Sequence, residues 1–173
     1  MIRLHLLIFV LPFVQFLVQG QTSYDQVKAF NVHNKARSEV GVLPLVWSKK
    51  LEVEALKYAK HIAKTNNYEH SNTSDGENLA MFYEYEQNNE NKTYIYSDTP
   101  LYDASVGWYN EINDYSYSKI KRNQKGPKIG HYTQMVWKST KEVGIASAIS
   151  KDGRVYVVAR YYPAGNYLGK YPY

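Results

Sequence analysis

Two stretches, Gly130-His-Tyr-Thr-Gln-Met-Val-Trp137 and Val157-Val-Ala-Arg-Tyr-Tyr-Pro-Ala-Gly-Asn166, decide how this 173-residue chain is read. The second lies in a hairpin pattern. Glu142 to Ile149 and Arg154 to Tyr162 are rich in Val, Ile and Tyr and flank Lys151-Asp-Gly153, a turn between strands. The first follows a basic loop, Lys119-Ile-Lys-Arg-Asn-Gln-Lys-Gly-Pro-Lys128. His131 therefore sits beside a turn-rich segment, where functional side chains concentrate.

Working outward, Ser23 and Gln26 form a capping-box pattern. Val27, Phe30, Asn34, Arg37 and Val40 then recur at helical spacing until Gly41. Val42 to Trp47 is extended and apolar. Ser48 opens a second helix with Leu51, Ala55, Tyr58, Ala59, Ile62 and Ala63 in one stripe, ended by Thr65-Asn-Asn67. Glu77 to Tyr83 reads as a short strand after a turn at Asp75-Gly76, and the charged, Asn-rich stretch Glu86 to Thr93 as a loop tip. Asp103 or Ser105 starts a third helix with Val106, Trp108, Tyr109 and Ile112 on its apolar positions. Helices and hairpin strands mixed along one chain predict an α+β or three-layer domain.

Composition narrows the function classes. With 44% hydrophobic residues the chain has enough apolar surface to fold. It has no cysteine, which excludes a disulfide scaffold and any Cys-ligated zinc. A formal net charge of +5 is too small and scattered for a dedicated nucleic-acid binder. Residues 1–20 have the order of a secretory signal peptide: a weakly basic start, an apolar run from Leu6 to Val14, and Val18-Gln-Gly20 before the cut. A membrane anchor needs roughly 20 apolar residues, and Pro12 and Gln15 interrupt this run. The expectation is a cleaved leader over 1–20, one domain over 21–173, and an extracellular protein with glycosylation acceptors at Asn72 and Asn91.

Four histidines follow the leader. His33 and His61 lie within helices and read as structural. His70 and His131 sit in or beside turns. Glu77 opens a strand, and Glu111 lies among aromatic positions of the third helix. Two imidazoles and two carboxylates suit a divalent metal such as zinc, an acid/base pair, or a metal-free hydrogen-bond network. There is no His-Glu-x-x-His helix, no Gly-x-Ser-x-Gly elbow and no phosphate loop.

Taken together, these segments closely resemble the CAP superfamily of cysteine-rich secretory proteins, antigen-5 allergens and plant pathogenesis-related-1 proteins. The two opening stretches match its signatures. His33-Asn-Lys-Ala-Arg37, Pro44-Leu-Val-Trp47, His70-Ser71, Gly76-Glu-Asn-Leu-Ala80 and Trp108-Tyr-Asn-Glu111 follow in the family's order. Ala159 stands where the family usually has cysteine, and the ending looks most like the cysteine-poor, Golgi-associated branch. Those relatives carry an N-terminal myristoyl glycine, whereas this chain begins Met1-Ile2.

The resemblance implies a three-layer α-β-α sandwich with an open central cleft. It makes His70, Glu77, Glu111 and His131 the cleft residues, able to bind zinc or another divalent cation. It also implies lipid or sterol binding. Lys119, Lys121, Arg122, Lys125 and Lys128 are the candidates to meet acidic head groups. The eight tyrosines from Tyr83 to Tyr117 either line a groove or pack in the core. The leading expectation is a secreted binding protein for a lipid or other hydrophobic ligand. The alternatives are an extracellular interaction protein meeting a protein receptor, with the cleft as scaffold, and a metal-dependent hydrolase. Hydrolysis would need a nucleophile, and the sequence names none beyond Ser71, equally a turn residue.

Overall fold

The computed structural model describes residues 23–89, 91–122 and 126–173. The leader reading of 1–20 and the candidate Lys125 lie outside the described residues.

Helix α1 (Tyr24–Glu39) begins with the anticipated capping box: Ser23 Oγ accepts from Gln26 N–H at 3.2 Å, and Gln26 Oε1 accepts from Ser23 N–H at 3.0 Å. Beyond it come β1 (Val46–Trp47), α2 (Lys49–Thr65) and β2 (Gly76–Phe82). The chain continues through β3 (Glu84–Asn88), β4 (Asn91–Ile95), α3 (Pro100–Asn110), a 3₁₀ turn (Glu111–Asp114), α4 (Gly130–Met135), β5 (Glu142–Ile149) and β6 (Val155–Tyr162). The main sheet has the order β1-β5-β6-β2, with β1 parallel to β5 and the other pairs antiparallel.

Strand β6 explains the layering. Alternate residues of a strand face opposite ways, and here both faces are buried. Val155, Val157, Ala159 and Tyr161 pack with Ala29 and Ala36 of α1, Trp108 of α3 and Met135 of α4. Tyr156 and Val158 pack with Ala55, Ala59 and Ile62 of α2. A sheet covered on both faces by helices is the α-β-α sandwich expected from sequence. Helix α2 lies so close to the sheet that a Cβ on Gly144 would stand 2.1 Å from the backbone nitrogen of Glu52, so only glycine fits there.

Three local expectations change. Glu86 to Thr93 is no plain loop tip: Glu86–Asn88 and Asn91–Thr93 pair in the two-stranded β3–β4 sheet, with Tyr85 opposite Tyr94. The rings of Tyr83, Tyr85, Tyr94 and Tyr96 pack on one another, and Lys92 lies over the Tyr85 ring. Helix α3 starts at Pro100, not at Asp103 or Ser105, because the Asp25 carboxylate of α1 accepts the N–H groups of Leu101 and Tyr102 at 3.0 and 2.9 Å. The Gly130 stretch forms the short helix α4. His61 is exposed and stacks on Tyr58 rather than packing into the core. His33, by contrast, is fully buried and hydrogen-bonded, as a structural histidine should be.

Candidate functional site

Glu77 is the second residue of β2 and lies opposite Arg160 of β6. Its Oε1 is 2.7 Å from His70 Nδ1 and accepts from Ser71 N–H at 3.0 Å. Its Oε2 accepts from Ser71 Oγ at 2.8 Å and stands 3.1 Å from Arg160 Nη1. Burial would raise this carboxyl. The hydrogen bonds from His70 and Ser71, with the Arg160 guanidinium, outweigh that and hold it below the usual carboxylate range.

Glu111 follows α3 directly and serves the start of α4. Its Oε2 accepts the N–H groups of His131 and Tyr132 at 2.9 and 3.0 Å, and its Oε1 lies 2.6 Å from His131 Nδ1. The first N–H groups of a helix lack intrahelical partners, so this carboxylate fixes both the helix end and the imidazole on it.

The two pairs share one chemical pattern. A carboxylate oxygen accepts from Nδ1, so each neutral ring carries its proton there and keeps the Nε2 lone pair. Neither Nε2 is hydrogen-bonded to a described residue. His70, Glu77 and His131 line one open cleft of about 400 Å³, and Glu111 stands behind His131. Among the described residues no three His, Cys, Asp or Glu side chains gather closely enough to hold a metal ion. A cation entering this cleft would meet the two Nε2 nitrogens, with the carboxylates as their orienting partners. Ser71 Oγ donates to Glu77 Oε2 and not to an imidazole.

The other candidates divide. Lys121 and Lys128 line the cleft together with Ile120, Pro127 and Ile129. Lys119 and Arg122 are exposed on the same segment without lining it, and Lys119 lies 5.7 Å from the centre of the Tyr171 ring. Asn72 and Asn91 are both exposed. None of the eight tyrosines from Tyr83 to Tyr117 lines the cleft. Tyr109 bonds Lys35 and Glu39, and Tyr115 and Tyr117 pack on Tyr173, away from the cleft lining.

Sequence reasoning missed Asn78 and Asn166. Asn78 Nδ2 donates to His131 C=O at 3.1 Å, and Asn166 Nδ2 to Gly130 C=O at 2.8 Å, so both anchor α4 beneath the cleft. A polar residue inside the apolar run 77–83 was the available signal for Asn78.

The family model described as "CAP: Cysteine-rich secretory protein family" matches residues 30–161. The human Golgi-associated plant pathogenesis-related protein 1 is 36% identical over 147 residues, covering 83% of this chain and 85% of that protein. Pathogenesis-related protein 1C of Nicotiana tabacum is 33% identical over 152 residues, covering 86% of this chain and 81% of its own length. The crystal structure of NaASP2 with Zn2+ superposes with a TM-score of 0.69 at 24% identity, over 87% of this chain and 86% of that one, a likeness of fold. With its sandwich, its paired His–Glu contacts and these relatives, the chain belongs to the CAP family.

Proposed function

We propose that this CAP-family chain is an exported binding protein. Its cleft receives an amphipathic ligand with an acidic head, such as a lipid, and holds a divalent cation such as zinc at His70 and His131. The observation that carries the reading is the pair of carboxylate-backed imidazoles facing one cleft whose wall combines Lys121 and Lys128 with Ile120 and Pro127. Carboxylate-held histidines are the usual metal-binding arrangement. Two nitrogens alone make a weak, exchangeable site, completed by water or by the ligand's head group. A bound cation would supply positive charge for that head group. Export rests on the leader pattern of 1–20 and agrees with exposed sequon asparagines.

Zinc titration calorimetry and vesicle flotation test this reading. Zinc should bind saturably, and His70→Ala or His131→Ala should abolish it. Anionic vesicles should be preferred over neutral ones at low salt, with the preference reduced in Lys121→Gln/Lys128→Gln. Unchanged zinc binding in both histidine variants, or equal binding to both vesicle types, overturns the corresponding half.

One observation favours a second reading, an extracellular interaction protein with the cleft as scaffold. Glu111 already spends one oxygen on two backbone N–H groups. In that case lipid extraction of the purified protein yields nothing, and zinc does not bind.

A further inference from the structure

Arg160 continues the α2-facing series of β6, after Tyr156 and Val158. Its residue is only 5% exposed, yet Nε and Nη1 have no hydrogen-bond acceptor among the described residues. Glu77 Oε2 lies 3.1 Å from Nη1, within ion-pair range but out of line for a hydrogen bond. The other buried arginine shows what satisfaction looks like. Arg37 donates to the carbonyls of Leu43, Met135, Trp137 and Thr140 at 2.6 to 3.0 Å. A guanidinium has five N–H donors and no acceptor, so leaving it buried and unbonded is costly, and acceptor oxygens relieve that cost.

Those oxygens have a place to sit. Arg160 borders a second hollow of about 450 Å³ that shares no lining residue with the cleft. Ser71 lines it too, and the Glu77 carboxylate bonded to Ser71 belongs to the cleft, so that contact forms the partition. One face of α2 lines one side, Glu54, Lys57, Tyr58 and His61 at helical spacings of three and four, and Asn72 and Thr73, the first of them the sequon asparagine, complete the rim. The Arg160 guanidinium is steadied over the Tyr58 ring at 5.3 Å. Lys57 adds an exposed cation, while Glu54 on the same face is a like charge to any anion.

We infer that this second hollow is a binding site for a tetrahedral oxyanion group, phosphate or sulfate, with Arg160 as its buried donor and Lys57 as its outer cation. Glu77 balances one positive charge of the site, and Lys57 supplies the surplus. A planar, delocalised guanidinium matches such oxygens, and a half-enclosed pocket strengthens the contact. Glu54 tempers the affinity.

The test follows the Arg160 Nε–Hε resonance by NMR at fixed pH and ionic strength, titrating sodium phosphate, sodium sulfate and sodium chloride. Phosphate and sulfate should shift it saturably, and chloride should not. Lys57→Gln should weaken binding about three-fold and Glu54→Gln should tighten it by a similar factor, changes the size of one partly exposed charge. The gain in Glu54→Gln cannot arise from misfolding. A linear response shared with chloride, as from a water-filled hollow, overturns the site, and so does unaltered affinity in both variants. Glucose 6-phosphate against a sulfated disaccharide then separates the phosphate and sulfate sources. His131→Ala should lose zinc and keep the anion, so failure of one reading is distinguishable from failure of the other.

Discussion

His33 makes the acid limb of the stability curve calculable. The ring is fully buried on α1; Nδ1 donates to the Ala29 carbonyl at 2.9 Å and Nε2 lies 2.8 Å from the Tyr161 hydroxyl. A carbonyl only accepts, so the proton sits on Nδ1 and the Tyr161 O–H donates to Nε2. That hydroxyl accepts in turn from Asn78 Nδ2 at 3.0 Å. Every member is satisfied while the ring is neutral, and a proton on Nε2 removes the acceptor that Tyr161 needs. Burial, with the nearby Arg37 cation and against the Ala29 bond, lowers the ring from 6.5 to about 4. From pH 6.5 down to about 4 the unfolded chain therefore takes up a proton that the folded chain refuses. Stability rises with pH wherever the unfolded chain holds more protons, so the sign is loss on acidification. The gap corresponds to about 3 kcal/mol, present in full above the upper value and lost through that window. Urea unfolding of wild type and His33→Gln from pH 7.5 to 4 isolates the contribution, because the remaining titrating groups are common to both chains. The variant should be less stable at neutral pH and should show a flatter acid limb. Parallel curves, with equal losses in both proteins, would refute the buried neutral ring.

Three further outcomes follow from the geometry. Arg37→Lys removes the fork that meets carbonyls of the segment before β1 and of the α4–β5 connection, and should cost about 3 kcal/mol or more in urea unfolding. Gly144→Ala drives a methyl into the Glu52 backbone and should cost about 1–3 kcal/mol, read as a lower thermal midpoint. Glu111→Gln keeps the shape but loses charge-assisted bonds to α4. It should cost about 1 kcal/mol and release the His131 ring from its single Nδ1–H tautomer, visible in nitrogen-15 imidazole spectra.

The architecture was legible wherever local pattern and burial coincide. The Ser23 box, the α2 stripe and the β5–β6 hairpin each state their structure within a few residues. Long-range polar contacts carried the rest. Thr99-Pro100 carries a local helix-start pattern, proline at the first helical position, but the group that satisfies the helix end, Asp25, lies 76 residues from Leu101. Glu86 to Thr93 does not look like sheet, since β3 and β4 are held by ring contacts and by Lys92 over Tyr85 instead of by a buried face. The four cleft residues were named through resemblance, and their spacing alone would not have paired His70 with Glu77 or His131 with Glu111. Arg160 lay inside a quoted motif but reads as any cation at a strand end until its buried, unbonded nitrogens are known.

The polar ties also explain how a chain without cysteine holds distant segments together. Asp25 joins α1 to α3, Asn34 joins α1 to Leu45 at 2.8 Å, Arg37 joins α1 to the α4–β5 connection, and Glu111 joins the 3₁₀ turn to α4. Each satisfies backbone groups that would otherwise be buried without partners, so losing one costs desolvation as well as the bond. One of the four cleft residues, Glu111, is thus a fastening of the fold. A carboxylate committed to backbone N–H groups cannot swing toward a cation without releasing them. On the proposed reading the imidazoles, which offer Nε2 at no such cost, are the groups that would meet a ligand in the cleft, and Glu111→Gln should disturb stability before it disturbs binding.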